Sequence, residues 1–229
     1  EYKKFGKMKV VVLSGAGISA ESGISTFRDQ NGLWENHDIM DVASISGWER
    51  NPELVLDFYN KRRAQLFEVK PNEAHLEIAN WEKQHEVVVI TQNVDDLHER
   101  AGSTNVIHLH GKLRSARSEK NSHLVYNWQK DIALGDIAED GCQLRPDIVW
   151  FGEDVPLISL AIDEVATADV LVVIGTSLQV YPAAGLLHYA HNAQLKYIID
   201  PHCAEYPVPS DFVKIASTAV NGILQVRFS

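Results

Sequence analysis

The chain of 229 residues is poor in cysteine, in basic residues and in long apolar runs. Its two cysteines, Cys142 and Cys203, provide neither a disulfide framework nor a closely spaced pair, which suits a reducing cytoplasm, the location we predict. A formal net charge of −10 argues against a nucleic-acid partner, because phosphate binding needs a clustered basic surface. No apolar run approaches the roughly 20 residues that span a bilayer, so no membrane segment is predicted.

Short apolar runs rich in β-branched residues predict six buried strands. Because their hydrophobicity is continuous rather than alternating, we expect a parallel sheet covered on both faces. The predicted strands are 9–14, 86–91, 106–109, 147–151, 169–174 and 195–199. The helical patterns between them are 52–67, 72–83, 157–167 and 182–192. This alternation predicts an α/β, doubly wound fold.

Two stretches depart from the alternation of strands and helices. Residues 31–70 contain a loop and a long helix but no predicted strand, and residues 112–145 are polar and weakly periodic. Together they predict a small inserted lobe, while residues 8–30, 71–111 and 146–229 form the sheet domain. The cleft between the two parts is the expected ligand site.

A glycine-rich turn, Gly15-Ala16-Gly17, follows the first strand. It fits the phosphate turn of dinucleotide folds, although a tight strand-to-helix turn without a ligand explains it equally well. A nicotinamide dehydrogenase would continue into a second strand and a terminal acid about 20 residues on. Residues 21–29 read as a loop instead, so we expect a bound nucleotide without the usual hydride-transfer layout.

Polar clusters also follow the other predicted strands. They are Thr91-Gln92-Asn93-Val94-Asp95, His110-Gly111, Gly152-Glu153, Gly175-Thr176-Ser177 and Asp200. Ligands of open α/β sheets bind beyond the carboxyl ends of the strands. The clusters therefore predict a large ligand at one edge of the sheet.

The same residues carry a family resemblance, because they form an ordered set that spans most of the chain. The set is Gly15-Ala16-Gly17-Ile18-Ser19, Phe27-Arg28-Asp29, 91–95, His108-Leu109-His110-Gly111, 149–153 and 175–177. It resembles the motif set of the sirtuins, most closely the bacterial type that is also similar to the animal desuccinylase class. The resemblance implies a Rossmann-like NAD domain, a small lobe, and an acyl-lysine peptide bound between them.

The resemblance also implies roles for individual residues. NAD, consumed as a co-substrate, would be held by Gly15, Ala16, Gly17, Ala20, Phe27, Arg28, Gln92, Asn93, Asp95, Gly175, Thr176, Ser177 and Asp200. His110, with Asn93 and Asp95, would be catalytic. The implied activity is NAD-dependent protein-lysine deacylation by a monomer, which releases nicotinamide and transfers the acyl group to ADP-ribose. A catalytically weak sensor module that binds NAD or ADP-ribose is the alternative.

Histidine chemistry independently favours His110 as a general base. An imidazole with a pKa of about 6.5 is largely neutral near pH 7 and ready to accept a proton. His108 lies two residues away, and on one strand both rings would face the same side, so a metal pair or two core histidines stay open as alternatives. Asn93 and Asp95 could instead cap a helix that begins near Val94.

Two groups of residues are predicted to bind the substrate. In the resembling family, segments matching Val149, Trp150, Phe151 and Gly152 and Leu178, Val180 and Tyr181 clamp the peptide as a strand. Tyr59 and Arg62 lie three residues apart on the 52–67 helix and share a face. The resembling class uses such a pair to grip the carboxylate of succinyl- or malonyl-lysine. Without that context, Tyr59 would be read as core and Arg62 as a solvated charge.

The sequence departs from the family in its small lobe, where most sirtuins bind zinc through four cysteines. Residues 112–145 contain a single cysteine, Cys142, and Ser118 falls about where a first zinc-binding cysteine is expected. We therefore predict that the lobe binds no zinc and no other metal. The candidates for an apolar core in its place are Leu124, Val125, Trp128, Ile132 and Leu134. At Asp200, where the family often has asparagine, a carboxylate would repel a 2′-phosphate and favour NAD over NADP.

Overall fold

The structure, a computed structural model, describes residues 6–26 and 33–228. Its strands are β1 (Lys9–Ser14), β2 (Leu33–Trp34), β3 (His37–Asp38), β4 (Glu86–Thr91), β5 (Val106–His108), β6 (Gly111–Ser118), β7 (Val125–Asn127), β8 (Leu144–Ile148), β9 (Val170–Ile174), β10 (Leu195–Ile199) and β11 (Val213–Ile215). Its α-helices are α1 (Gly17–Ala20), α2 (Ile39–Val42), α3 (Ile45–Arg50), α4 (Pro52–Gln65), α5 (Glu73–Trp81), α6 (Leu97–Ala101), α7 (Ile158–Ala166) and α8 (Ala219–Ile223). Two 3₁₀ helices span Ala183–Tyr189 and Cys203–Glu205.

The central sheet has six parallel strands in the order β11-β10-β9-β1-β4-β5. Alternate residues of one strand enter two separate cores, which explains the continuous apolar runs. In β1, Val11 and Leu13 pack on the side of α7, whereas Val10 and Val12 pack on the side of α5 and α8. The predicted doubly wound α/β fold is confirmed.

Capping residues in the sequence set the starts of two long helices. Asn51 accepts a hydrogen bond from the Leu54 N–H at 3.1 Å, and Pro52 occupies the first turn of α4. Asn72 accepts from the Ala74 N–H at 3.0 Å and starts α5. The predicted helices at 52–67, 72–83 and 157–167 are confirmed with slightly shorter ends, while the one at 182–192 is a 3₁₀ helix.

The small lobe contains an antiparallel sheet in the order β7-β6-β8, packed against α2, α3 and α4. The predicted strand 147–151 was wrong, because the strand is β8 and pairs with β6 in this lobe instead of joining the parallel sheet. Residues 31–70 do contain strands, since β2 and β3 form a short hairpin. The β8 region and the β2–β3 hairpin were misassigned because they are too short or too irregular to show a hydrophobic period in the sequence.

The apolar core of the small lobe is also different from the predicted one. Ile132 is buried, but Val125 and Leu134 are 47% and 49% exposed. The lobe instead buries apolar residues of α4, β6 and β8 together with Trp48 and Trp150. Within the described ranges, no helix has both the length and the apolarity that crossing a bilayer requires.

Candidate active site

A cavity of about 580 Å³ lies where the strands β1, β4, β9 and β10 end and the small lobe begins. Its volume is in the range that accommodates a large ligand. The predicted site residues on its lining are Gly15, Ala16, Gly17, Ala20, Tyr59, Arg62, Gln92, Asn93, Asp95, His110, Val149, Trp150, Phe151, Gly152, Gly175, Thr176, Ser177, Val180, Tyr181 and Asp200. The sequence motifs therefore meet in one place.

Three of the predicted residues are not part of that lining as described. Leu178 packs against the apolar core on the α7 side of the sheet instead of bordering the cavity. Its main chain has a left-handed φ of 57°, and its N–H donates to the Thr176 hydroxyl at 3.2 Å. Phe27 and Arg28 lie outside the described residues.

The glycine-rich turn after β1 packs directly on the turn after β9. The Gly17 N–H donates to the Gly175 carbonyl at 2.8 Å, and a Cβ on Gly17 would lie 2.7 Å from the Gly175 Cα. A Cβ on Gly15 would lie 2.7 Å from the Gly175 oxygen and from the Thr176 Cβ. The glycines are thus required for close packing of two loops at the strand ends, and together these loops form the floor of the cavity.

The loop after β4 is tied to the β1 turn by a buried polar network. The Asn93 amide donates to the Gly15 carbonyl at 3.1 Å and to the Ser19 hydroxyl at 3.2 Å. The Ser19 hydroxyl donates to Asp95 at 2.9 Å. On the other side, the Gln92 amide donates to the Thr176 hydroxyl at 3.1 Å. Asn93 and Asp95 are therefore held at fixed positions beside the cavity.

Asp95 is a buried carboxyl that lies before a helix rather than inside one. Helix α6 begins at Leu97, not near Val94 as predicted, and the Leu97 N–H donates to Asp95 at 3.0 Å. Burial raises the pKa of Asp95, and the hydrogen bonds from Leu97 and Ser19 oppose that rise. The capping alternative thus holds for one oxygen of Asp95, while the other contacts Ser19.

His110 borders the cavity just beyond the end of β5. Its Nδ1 lies 3.1 Å from the Gln92 carbonyl oxygen, which can only accept, so Nδ1 carries the proton and Nε2 is left as the basic nitrogen. Burial lowers the pKa of His110, and the bond to Gln92 opposes that shift in part. The neutral imidazole at physiological pH is the form that a general base requires.

His108 does not pair with His110. It is the last residue of β5, and its ring nitrogens lie 3.0 Å from the Asn93 carbonyl oxygen and 2.6 Å from Glu99. These contacts make His108 a buried support of the β4 loop. Across the described parts of the chain, no three His, Cys, Asp or Glu side chains gather in a way that could hold a metal.

The segment around Trp150 is braced by an arginine that sequence reasoning missed. Arg145 donates to both oxygens of Glu153, at 2.7 and 2.9 Å, and its guanidinium lies 3.5 Å from the ring centroid of Trp150. Glu153 also accepts from the Trp150 N–H at 2.8 Å. Burial would raise the pKa of Glu153, but its bonds to Arg145 and Trp150 together lower it. A buried ion pair thus fixes one wall of the cavity.

Tyr59 and Arg62, which lie three residues apart on α4, both border the cavity. The Tyr59 hydroxyl accepts from the Trp150 indole N–H at 3.0 Å, so its own proton remains available to donate. Burial raises the pKa of Tyr59 and keeps the hydroxyl protonated. Arg62 is neither a solvated charge nor core, because 17% of its side chain is exposed.

The Arg62 guanidinium is incompletely satisfied. Its Nη1 lies 3.4 Å from Glu35, yet neither Nη1 nor Nε has a hydrogen bond of good geometry among the described residues. The Glu35–Arg62 pair is therefore an electrostatic contact in which the N–H groups of Arg62 are not aligned with the carboxylate. Buried donors of this kind are costly unless a ligand supplies the acceptor.

Asp200 lies at the end of β10 and is 5% exposed. One of its oxygens accepts from the His202 N–H at 2.9 Å and from the Tyr206 hydroxyl at 2.7 Å. Tyr206 follows in a segment that the sequence did not single out. These bonds orient the carboxylate at the rim of the cavity.

The sequence carried weak signals for what was missed. Ser19 belongs to the first motif, but it meets Asp95, 76 residues further along the chain, only because the sheet places β1 next to β4. Arg145 stands in the irregular 112–145 stretch, where nothing marks it. Glu35 lies in a hairpin whose strands have two residues each, too few for an alternation pattern to show.

Comparisons with known proteins agree with this geometry. The model of the Sir2 family matches residues 15–182. An NAD-dependent protein deacylase of Helicobacter pylori is 61% identical over 214 residues, which cover 93% of each chain. One of Bacteroides thetaiotaomicron is 55% identical over 198 residues, covering 84% of this chain and 85% of the relative.

A solved structure of a Sir2 homologue in complex with NAD has the same fold. It is 38% identical, with a TM-score of 0.83, and the match covers 94% of this chain and 86% of that one. The family model spans well over half of the chain, and the relatives match nearly all of it. The resemblance read from the motifs is confirmed, and the chain belongs to the Sir2 family.

Proposed function

We propose that this chain is an NAD-dependent protein-lysine deacylase. The observation that supports it best is His110, a half-buried neutral histidine that borders the cavity together with Asn93 and Asp95 and keeps Nε2 as its basic nitrogen. The names of the relatives point to the same activity. The polar floor of the cavity along four strand ends suits a nucleotide. Its largely apolar extension toward α4 suits an acyl chain.

In this proposal NAD lies across the strand ends. Gly15, Ala16 and Gly17 and the 175–177 turn border its phosphates and adenosine, and Asp200 accepts from a ribose hydroxyl. Gln92, Asn93 and Asp95 border the nicotinamide ribose and the carboxamide. Hydrogen bonds join these loops to one another and fix the relative positions of the groups proposed to bind NAD. Phe27 and Arg28 complete the NAD site as the family resemblance implies.

The family resemblance implies the following reaction at these positions. The acyl oxygen of the lysine amide attacks the ribose carbon, and nicotinamide leaves with the bonding electrons. His110 then takes a proton from a ribose hydroxyl, whose oxygen attacks the resulting imidate carbon. Water then adds to the same carbon, the bond from that carbon to the lysine nitrogen breaks, and the lysine leaves as a protonated amine. The products are free lysine, nicotinamide and an O-acyl-ADP-ribose.

The peptide is proposed to lie as a strand between 149–152 and the segment that holds Val180 and Tyr181. The Phe151 N–H and carbonyl are both bonded to the small lobe, through Ala43 and Ile45. The adjacent Gly152 is therefore the residue of this segment best suited to pair with the peptide main chain. Such main-chain pairing tolerates many sequences around the acyl-lysine.

One assay separates this proposal from a sensor module and from a dehydrogenase. The protein is incubated with NAD and an acetyl-lysine peptide, and nicotinamide, NADH and deacylated peptide are quantified. We expect nicotinamide and deacylated peptide in equal amounts and no NADH. His110→Ala should lose about 10²–10⁴-fold in rate while it still binds NAD, and the exposed His123→Ala is the matched control. Full activity in His110→Ala would contradict the proposed base.

We propose further that the acyl scope includes succinyl- and malonyl-lysine. The Arg62 guanidinium can meet a carboxylate with charge-assisted hydrogen bonds, and the Tyr59 hydroxyl can donate one more. A bond to a charged group contributes about 1.5–3 kcal/mol, so losing one lowers affinity about tenfold or more. An acetyl group makes none of these contacts, and the pocket still admits it.

The test compares Arg62→Met with Lys61→Met on both acyl types. Lys61 is the matched control because it precedes Arg62 on α4 but is 63% exposed and paired with Asp57. Arg62→Met should lower desuccinylation at least tenfold more than deacetylation, and Lys61→Met should lower neither. Equal losses of activity on both substrates would show that Tyr59 and Arg62 do not recognise the acyl carboxylate.

The small lobe is proposed to fold without zinc, because the residues present do not fit a structural zinc site. Ser118 stands near the expected first ligand, and its hydroxyl donates to Asp140 at 2.6 Å while accepting from the Lys120 and Asn121 N–H groups. Asp140 also accepts from the Cys142 N–H at 3.0 Å. Elemental analysis should find well below one zinc per chain, and a strong chelator should leave the melting temperature unchanged.

We also propose that the enzyme works as a cytoplasmic monomer on acyl-lysine segments of proteins, with no nucleic-acid partner. Both cysteines are unpaired, as a reducing compartment favours. The net charge of −10 suits basic, lysine-containing peptides better than nucleic acid. Light scattering gives the mass in solution, and a mass of two chains would contradict the monomer.

A further inference from the structure

The β2–β3 hairpin delivers a carboxylate to the guanidinium of Arg62. Glu35 and Asn36 form its two-residue turn, with φ values of 49° and 66°. Positive φ at both central residues is the geometry of a type I′ turn, which favours asparagine, aspartate or glycine. Glutamate is an unfavourable residue at the first of these positions, and such strained residues concentrate at functional sites.

Ring contacts hold this hairpin on α4. Trp34 meets Phe58 edge to face, with centroids 4.7 Å apart, and His37 meets the same ring at 5.5 Å. The Arg62 guanidinium lies over that ring at 5.3 Å. The turn is therefore seated beside Arg62 by apolar packing that does not depend on the ion pair itself.

The Glu35–Arg62 contact is close but poorly aligned. The two charges approach to 3.4 Å at the cavity lining, and Glu35 leaves Arg62 Nη1 and Nε without good hydrogen bonds among the described residues. The two side chains are 24% and 17% exposed, so a ligand can reach them. A carboxylate that arrives on an acyl chain could make the aligned bonds that Glu35 does not make.

We propose that Glu35 is a resident counter-ion that sets the acyl preference of this site. It neutralises Arg62 when a neutral acyl group is bound, so acetyl-lysine does not leave a buried, unpaired cation. A succinyl or malonyl carboxylate must displace Glu35 and is repelled by its charge. Glu35 thereby weakens the preference for acidic acyl groups and keeps the site open to both classes. This inference rests on the proposed acyl scope.

Removing the charge of Glu35 while keeping its shape tests the idea. In Glu35→Gln, the ratio of kcat/KM for succinyl-lysine to that for acetyl-lysine peptide should rise about three- to tenfold, as expected for one partly exposed charge a few ångströms away. The dissociation constant of the succinyl-lysine peptide, measured by calorimetry, should fall by a similar factor. Glu49→Gln is the matched control, since Glu49 is exposed on the same lobe and does not border the cavity; it should leave the ratio unchanged.

The outcomes separate this inference from the proposed function. If Arg62→Met lowers the ratio but Glu35→Gln does not raise it, the acyl scope stands and the counter-ion role is wrong. If Glu35→Gln lowers the melting temperature and both activities alike, the pair only ties the hairpin to α4, and the inference is also wrong. If Arg62→Met leaves the ratio unchanged, both ideas fail together.

Discussion

Replacing Glu153 by glutamine should test whether a buried ion pair supports the substrate wall. Arg145 is 2% exposed, and both of its bonds to Glu153 are charge-assisted. In Glu153→Gln the guanidinium loses its counter-charge, while the amide oxygen can still accept one bond. The wall that contains Trp150 would then rest on a buried cation that keeps its bond to the Ile148 carbonyl but has lost the negative charge of Glu153.

The expected size of this effect follows from the geometry. Breaking a buried pair by removing one partner costs about 3–5 kcal/mol. The amide retains one acceptor and the carboxylate is 18% exposed, so we expect a loss of about 2–4 kcal/mol in the free energy of unfolding. In a chain of this size each kcal/mol shifts the melting temperature by about 2–4 °C, which gives a fall of about 5–15 °C.

Two measurements check this prediction, namely thermal unfolding and steady-state kinetics with an acyl-lysine peptide. KM for the peptide should rise more than kcat falls, because the wall that orients the peptide loosens while His110 keeps its bond to Gln92. Glu139→Gln, at an exposed position of the same lobe, should change stability by less than about 0.5 kcal/mol.

A double variant reveals the physical cause. If the loss comes from the unpaired guanidinium, adding Arg145→Met to Glu153→Gln should restore stability or leave it unchanged, since methionine keeps the apolar contact with Trp150. Losses that simply add would mean that the two side chains contribute independently. That result would refute the reasoning from a coupled buried pair.

Further predictions concern pH and packing. Because burial lowers the pKa of His110, kcat/KM for deacylation should be constant above neutrality and fall only on the acid side, with an inflection below about 6.5; an inflection above that value would contradict the neutral base. Burial lowers the pKa of His75 to about 4 in the folded state. The unfolded state, with a value of about 6.5, binds the proton first, so stability should be full above that pH and decline by up to about 3 kcal/mol toward pH 4. Urea titrations at several pH values should show a smaller decline in His75→Gln. Gly17→Ala places a Cβ 2.7 Å from Gly175, and calorimetry should show weaker NAD binding together with a lower melting temperature.

Much of the fold could be read from the sequence because parallel strands leave a strong pattern. Strands β1, β4 and β9 are buried on both faces and appear as nearly uninterrupted apolar runs, and β10 keeps that pattern in its last three residues. Strand β11 was missed because it is an edge strand of three residues, two of them exposed. The run at 147–151 was assigned to the wrong sheet, since an apolar run does not say which neighbour it pairs with.

The site was predictable for a related reason. Parallel strands bring their carboxyl ends to one edge, so polar residues that follow separate runs must converge there. Asn93 and His110 could be placed by that rule alone. Arg145 could not, because it acts through a turn of the small lobe, where no period relates its position to Trp150.

The parallel sheet and the small lobe position different groups of side chains around the cavity. The groups proposed to face NAD stand on loops whose ends are set by the parallel sheet, and hydrogen bonds join these loops to one another. The groups proposed to face the acyl chain are supplied by α4, by the β2–β3 hairpin and by residues 149–153 after β8. These segments meet through side-chain contacts such as Tyr59–Trp150 and Arg62–Glu35. A change in one of these side chains can alter which acyl group is accepted while the sheet and its nucleotide loops stay in place. On the proposed acyl scope, we expect substitutions in these residues of the small lobe to change acyl preference before they change the chemistry at His110.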